Sequence, residues 1–339
     1  MRKTSGVVLV GVGVFAIVLA ILLPTIVVHK SKKTPLDLNI TQRAIATNAK
    51  VFDATSGTLK TVTLRATRVV RTDSHDSDSK NTTVVESLCV VIVNGNTPDC
   101  PRSPDPRLLS ITTDRVTADR VSAESVHVPK YREYVNADTS VRHKGVTYKW
   151  PIDTKKKTYQ FYMPDLLKAF PAKYEGTDRI AGLTNYKFVA YSGVQPYKVL
   201  GLVDGTYEDT TIAWVEPKTG AVIYGEEHQI QRTNEPLNPT DPTSTLALDA
   251  TFKFDKASVD YQANYSKDAI KKLDAASTWG PIVLAVVAIG AFVGAFFLLR
   301  PRRSAGGPDS EEPGRHTGPN PDDDPAEAEP PVWAGSPGA

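Results

Sequence analysis

The sequence has 339 residues and a formal net charge of +2, and its last 35 residues hold eight acidic residues against one arginine. The remaining residues are therefore only modestly basic. They lack the basic stripe that nucleic-acid-binding domains carry, which excludes nucleic acid as a partner.

The chain begins with an apolar segment long enough to cross a bilayer. Residues 6–28 contain no charge, and a helix of roughly 20 residues spans a hydrocarbon core of about 30 Å. A cleaved signal peptide is the alternative, because Arg2 and Lys3 precede the segment. However, the segment exceeds the usual apolar region of about 7–15 residues, and no small-x-small site follows it. We predict a cytoplasmic stub over residues 1–5 and an uncleaved transmembrane helix over 6–28.

Residues 29–279 are predicted to form one β-rich domain. Apolar and polar residues alternate over residues 61–66, and residues 84–93 form a more continuous apolar strand. A further strand is predicted over residues 197–203, ending at an Asp-Gly turn signal. Residues 212–215 and 221–230 predict a hairpin joined by a five-residue connection.

Two helices are expected within this domain. Residues 163–170 predict a short helix, with Pro164 near its start and Pro171 at its end. Ser266 is a candidate N-cap for a helix that runs through Ala276 toward the C-terminal apolar segment. The predicted fold class is therefore a mainly β (α+β) extracytoplasmic domain flanked by two transmembrane helices.

The chain has only two cysteines, Cys89 and Cys100, on either side of a strand-like run and an Asn-Gly turn signal. In an oxidising compartment this pair would form a disulfide that contributes about 3 kcal/mol on the loop-entropy model. In a reducing compartment both would be free thiols. Two cysteines without a nearby histidine pair do not supply four zinc ligands, so no metal site is expected.

The second predicted transmembrane helix spans residues 280–299, which are again free of charge. Two spans place both termini on one side, and the positive-inside rule makes that side the cytoplasm. The basic residues that support this orientation are Arg2, Lys3, Arg300, Arg302 and Arg303. Three lysines at 30, 32 and 33 argue the other way. Residues 300–339, rich in proline, glycine and acidic residues, are predicted to be a disordered cytoplasmic tail.

Enzyme signatures are missing from the sequence. It has no Gly-x-Ser-x-Gly elbow, no His-Glu-x-x-His motif and no Walker lysine loop. Glu226, Glu227 and His228 lie on a predicted strand, where neighbours face opposite sides, which disfavours an acid/base group. We predict a protein that is not an enzyme and needs no cofactor.

Aromatic residues are concentrated between residues 148 and 191, where ten of the chain's 27 aromatics fall. They could form the main core, or they could line an apolar groove for an acyl chain with phenol groups at its mouth. The candidate ligand-binding residues are Trp150, Tyr159, Phe161, Tyr162, Phe170, Tyr174, Tyr186 and Phe188.

Three stretches resemble an actinobacterial family of envelope proteins labelled the porin PorA family: residues 149–153 with 158–162, residues 180–188 and residues 214–222. The resemblance covers roughly residues 1–303. It implies an N-terminal anchor, an exported β-rich domain and a C-terminal helix followed by arginine. Some members look like polar-growth factors that work beside a transporter of trehalose monomycolate, which implies handling of a glycolipid in the periplasm.

The leading hypothesis is a membrane-anchored, non-enzymatic protein of the cell envelope that binds membrane lipid or glycolipid, or scaffolds an envelope lipid transporter. An oligomeric two-helix channel is the second hypothesis. It is disfavoured because residues 282–299 offer no polar side chains to a pore. An envelope hydrolase with an unrecognised site is the third. A porin-type barrel would need many amphipathic strands and no apolar helices, so the two apolar segments of this chain argue against it.

Overall fold

The structure is a computed structural model that describes residues 2–27, 32–199, 201–238 and 240–300. The predicted tail lies outside these residues, apart from Arg300. The lysine at position 30 also lies outside them.

Eleven strands form one antiparallel sheet. They are β1 (Asn39–Asp53), β2 (Thr58–Asp73), β3 (Asn81–Ile92), β4 (Leu108–Asp119), β5 (Tyr134–Val135), β6 (Tyr159–Met163), β7 (Lys168–Ile180), β8 (Leu183–Val199), β9 (Val203–Glu216), β10 (Ala221–Thr233) and β11 (Leu246–Phe254). Their order across the sheet is β5-β4-β3-β2-β1-β11-β10-β9-β8-β7-β6. The chain therefore builds two meanders that meet where β1 pairs with β11.

The sheet curls until short segments bridge its two edges. At one edge, Val126 N donates to Thr117 O of β4 over 2.8 Å. Ser125 N then donates to Gly145 O over 2.7 Å, and Val146 N donates to Gln160 O of β6 over 2.8 Å. These backbone bonds join the β4 edge to the β6 edge through residues 124–126 and 145–146, so the sheet has an inside and an outside.

Strand β9 shows how the sequence sets the two faces. Tyr207, Asp209, Ala213 and Val215 are buried, whereas the neighbouring Trp214 is only partly covered. This period of two follows from the pleat, which turns successive side chains to opposite faces. The inner face includes Asp209, an acidic residue in an otherwise apolar or uncharged row.

Two long apolar helices, one before the sheet and one after it, pack together. Helix α1 (Arg2–Leu22) continues as a π-helical turn over Leu23–Val27. Helix α2 (Lys256–Asp274) passes through a π-helical turn over Ala275–Trp279 into helix α3 (Gly280–Leu299). Helices α1 and α3 run antiparallel, because Gly6 meets Leu299 at one end and Leu23 meets Gly280 at the other. Both helices are long and apolar enough to cross a membrane.

The structure corrects three predictions. Residues 163–170 do not form a helix: a single 3-10 turn over Pro164–Leu166 ends at Leu167, whose φ is 52°. The chain then turns back into β7, where Pro171 lies opposite Gln160. Pro164 suits the start of either a helix or such a turn, so the proline signal did not distinguish them.

The predicted strand over residues 197–203 is wrong, because β8 ends at Val199 and β9 begins at Val203. Gly205, predicted to lie in a turn, lies within β9. The predicted N-cap at Ser266 is also wrong, since Asp255 caps α2 eleven residues earlier and accepts from Ser258 N. By contrast, the predicted hairpin is confirmed, because Ala221 pairs with Glu216 across the β9–β10 turn. The predicted disulfide joins Cys89 to Cys100.

Candidate functional site: the cavity inside the curled sheet

The curled sheet encloses a cavity of about 180 Å³. Inward-facing residues of β1, β2 and β3 form one wall, where Ala66 pairs with both Ala44 and Val90. Phe252 of β11 and Ala213 of β9 continue this apolar lining. An engineered apolar cavity of about 150 Å³ binds benzene, so this space suits one ring or a short stretch of hydrocarbon chain.

Three of the eight candidate aromatic residues line this cavity: Trp150, Phe161 and Tyr162. Trp150 belongs both to the cavity lining and to the main core, where its ring stacks with Phe161 at 5.3 Å and with Phe188 at 5.6 Å between centroids. The aromatic wall is therefore rigidly supported from behind.

The other five candidates lie away from the cavity lining. Tyr159 and Phe188 are buried in the core, where their rings meet edge to face at 5.6 Å. Phe170 packs partly buried against the same core and lies opposite Phe161 in the β6–β7 pair, instead of on a helix. Tyr174 and Tyr186 are half-buried at the end of the domain near the β7–β8 turn.

A half-buried ion pair between Arg68 and Glu86 lies on one side of the cavity. The Arg68 guanidinium contacts both carboxylate oxygens of Glu86, each at 2.5 Å, and donates to Gln42 Oε1 over 3.3 Å. Burial alone would lower the pKa of Arg68, but the Glu86 carboxylate outweighs burial and raises that pKa. This pair is fixed by bidentate geometry and leaves little donor capacity for a ligand.

Five further carboxyl residues line the cavity, among them Asp165, Asp209 and Glu227. Burial, reinforced by the Glu227 charge, raises the pKa of Asp165 to about 6, although Tyr207 Oη donates to its carboxyl over 3.4 Å. Burial and the same glutamate raise the pKa of Asp209 well above its usual value. Thr211 donates to Asp209 Oδ1 over 2.7 Å, while Oδ2 has no partner among the described residues. Asp209 therefore keeps its proton to a higher pH than an ordinary aspartate, and a protonated carboxyl can donate to a hydroxyl group of a ligand.

His143 lies between two buried carboxylates beside the cavity. Its Nε2 is 2.6 Å from Asp114 Oδ1, and its Nδ1 is 3.2 Å from Glu133 Oε2. Burial opposes protonation, but both carboxylates favour it and raise the pKa of His143 to about 9. The ring packs on Tyr162 with centroids 4.6 Å apart. A protonated His143 thus offsets one of the two carboxylate charges of Asp114 and Glu133.

Sequence reasoning missed the polar residues of this site. Asp209 could have been found by extending the period of two along β9, which places it on the buried face. Glu227 was considered, and the structure turns it into the cavity, while His228 pairs with Asp249 at 2.8 Å. Asp165 carried no usable signal, because its position depends on a 3-10 turn that was expected to be a helix.

The lining is amphipathic and non-ligating. Among the described residues, no group of three or more His, Cys, Asp or Glu side chains is placed to hold a metal ion. What the arrangement offers is an apolar aromatic wall facing hydrogen-bonding carboxyl groups. Such a cavity fits a ligand that is apolar over most of its length and polar at one end.

A family model described as Porin PorA matches residues 5–297. A protein named Porin PorA from Corynebacterium resistens is 25% identical over 224 residues. That alignment covers 56% of this chain and 52% of the relative, so the chain spans about half the length of the curated relative that it matches. The family match includes the whole sheet and nearly all of both apolar helices.

Proposed function

Because this chain belongs to the porin PorA family, we propose that it is a non-enzymatic envelope protein whose cavity holds part of a membrane lipid or glycolipid. Family membership confirms the resemblance drawn from the sequence. Together with the two apolar helices it supports a location in the envelope membrane. A role as scaffold for an envelope lipid transporter is compatible with this proposal, since such a partner would receive the bound lipid.

We propose that α1 and α3 cross the bilayer as a two-helix hairpin with residues 29–279 outside the cytoplasm. Their outward faces expose large apolar side chains, including Phe15, Ile289 and Phe296. Trp279, one residue before α3, is 65% exposed, as suits an aromatic residue at the membrane surface. Arg2 donates to Phe297 O over 2.9 Å, so the start of α1 and the end of α3 lie on one side of the hairpin.

Maleimide labelling of intact cells tests this topology. The native cysteines are joined and will not react, so single cysteines can be added at Thr55, in the exposed β1–β2 turn, and at Ser310 in the tail. The proposal expects labelling at residue 55 and none at residue 310 until the membrane is permeabilised. The reverse pattern would overturn the orientation.

The amphipathic cavity is the observation that carries the ligand proposal. Each buried CH₂ of a chain contributes about 0.8 kcal/mol, and the aromatic wall supplies that burial. The volume accommodates only part of a long chain, so most of a lipid would stay outside the cavity. The domain then acts as a clamp on one segment of the lipid.

The direct test is lipid retention by the full-length protein. The protein is purified in detergent, washed until loosely held lipid is constant, and then extracted for mass spectrometry. A stoichiometric lipid of defined class supports the proposal. Mixed membrane lipids at levels that fall steadily with washing would overturn it.

A channel is the second candidate function, favoured by the description of the family as porins. A conducting pathway would require several copies of the α1–α3 hairpin around a pore. Purified protein in planar bilayers tests this directly. Discrete single-channel steps, with no bound lipid found in the parallel extraction, would favour a channel over a lipid clamp.

A further inference from the structure

The end of the β-domain nearest the helical hairpin carries an exposed basic loop, Lys155–Lys157. The loop is tied to the N-terminal linker, because Lys32 Nζ lies 2.8 Å from Asp153 Oδ2. It is tied to the β9–β10 turn, because Thr154 N donates to Pro217 O over 2.8 Å. Lys218 of that turn forms an ion pair with Asp274, the last residue of α2, in which Nζ lies 2.8 Å from Oδ1.

The three lysines of this loop are exposed, and none has an ion-pair partner within the described part of the chain. Instead, two of them lie over aromatic rings. Lys156 Nζ is 5.6 Å from the Tyr174 ring and 5.2 Å from the Tyr186 ring, and Lys157 Nζ is 5.1 Å from the Tyr159 ring. Cation–π contacts hold these side chains in place without neutralising their charge.

Other basic residues extend this surface along the same end of the domain. Lys271 and Lys272 are exposed in the last turn of α2, directly before the π-helical turn that leads into α3. Arg179 is exposed beside the β7–β8 turn. Lys267 lies against the same turn, since its Nζ would be 3.7 Å from a Cβ built on Gly182. Charge and half-buried tyrosine therefore lie together where the apolar helices leave the domain.

We propose that this surface, defined by Lys155–Lys157, Arg179, Lys267, Lys271 and Lys272, docks the β-domain onto anionic lipid headgroups of the bilayer that its helices span. The inference rests on the membrane anchoring proposed above and goes beyond the cavity ligand. Lysines attract anionic lipid within about one Debye length, roughly 10 Å at 0.1 M salt. Tyr174 and Tyr186 suit the headgroup layer because each ring has an apolar body and a polar tip. Docking fixes the orientation of the domain relative to the membrane.

Headgroup quenching in vesicles tests the proposal on the full chain. A fluorophore is attached to a cysteine at Thr158, which is exposed beside the loop, and a quencher is attached to lipid headgroups. Vesicles contain either phosphatidylcholine alone or phosphatidylcholine with phosphatidylglycerol. We expect stronger quenching with phosphatidylglycerol, and a return to the phosphatidylcholine level in high salt.

The variant Lys155→Gln/Lys156→Gln/Lys157→Gln should reduce quenching to the phosphatidylcholine level. The matched control Lys50→Gln/Lys60→Gln/Lys198→Gln removes the same charge from exposed positions at the far end, near the β1–β2 and β8–β9 turns, and should leave quenching unchanged. Flotation with vesicles confirms that each protein is inserted, independently of any cavity ligand. Equal quenching in both lipids, or equal effects of the two triple variants, would overturn the proposal.

Discussion

Gly13 of α1 packs directly against the ring of Phe292 of α3: a Cβ built on Gly13 would lie 2.9 Å from Cζ of Phe292. Two residues earlier, Gly11 has open space, with no atom within 4 Å of such a Cβ. Small residues allow close helix approach in membranes, where apolar side chains gain little from leaving lipid. The hairpin therefore depends on the identity of residue 13 and not on that of residue 11.

Gly13→Val should separate α1 from α3, whereas Gly11→Val should not. Both substitutions place the same side chain in the same helix, so helix propensity is matched. Cysteines at Leu9 and Gly294 report the pairing by copper-catalysed cross-linking in membranes, because a Cβ built on Gly294 would lie 3.2 Å from Leu9 Cδ1. We expect the cross-link to be retained with Gly11→Val and lost with Gly13→Val. An equal yield in both variants would contradict the observed packing.

Removing the disulfide should destabilise the domain by about 3 kcal/mol, because Cys89 and Cys100 close a short loop with a separation of 11 residues. The loop carries Asp99, which pairs with Arg43 and with Arg65 at 3.2 Å. Cys89→Ser/Cys100→Ser should lower the midpoint of urea unfolding. Asp99→Asn, which breaks the ion pairs and keeps the disulfide, should have a smaller effect because these pairs are partly exposed.

His143 should make stability fall as the pH rises. Its folded-state pKa is about 9 against 6.5 for a free histidine, so its contribution is complete below pH 6.5 and is lost as the pH approaches 9. Between pH 6.5 and 8 the loss should be about 2 kcal/mol. The pH range of the test ends at 8 because burial lowers the pKa of Lys149 to about 8. Above that pH, the lowered pKa of Lys149 makes stability rise with pH.

The matched variants are His143→Gln and His75→Gln, since the side chain of His143 is fully buried and that of His75 is 95% exposed. Urea unfolding at pH 6.5 and 8 measures the slope. The slope should become shallower in His143→Gln and stay unchanged in His75→Gln, because both variants keep Asp209, whose pKa burial also raises. Asp165, whose pKa is raised to about 6, gives a separate decline between about pH 4 and 6 that neither variant should change.

The parts of the fold that could be predicted from the sequence are those with a local pattern of apolar and polar residues. Apolar runs predicted the helices, and alternation with turn signals predicted the β9–β10 hairpin, because both patterns follow from backbone periodicity. The closure of the sheet could not be predicted, since it depends on residues 124–126 and 145–146 pairing across long sequence distances. The same long-range closure brings Arg68, Asp165 and Asp209 into one cavity, although they lie on separate elements.

The cavity hypothesis predicts a difference between two valines in the same meander. Val90 and Val51 are both half-buried and pack against the same apolar cluster, but only Val90 lines the cavity. Val90→Phe places a ring in the space where a ligand chain would lie, whereas Val51→Phe adds the same bulk outside it. We expect Val90→Phe to lose most of the retained lipid and Val51→Phe to keep it.

Thermal unfolding of both valine variants separates ligand displacement from misfolding. Overpacking a filled core typically costs about 1–3 kcal/mol, so a packed interior would show Val90→Phe strongly destabilised. An empty cavity instead accepts the ring, and the melting temperature of the lipid-free protein should change little or rise. Lipid also stabilises the folded state by mass action, so adding it back should raise the melting temperature of Val51→Phe and not of Val90→Phe. If both variants retain lipid equally, the bound lipid lies outside the curled sheet and the cavity is not the site.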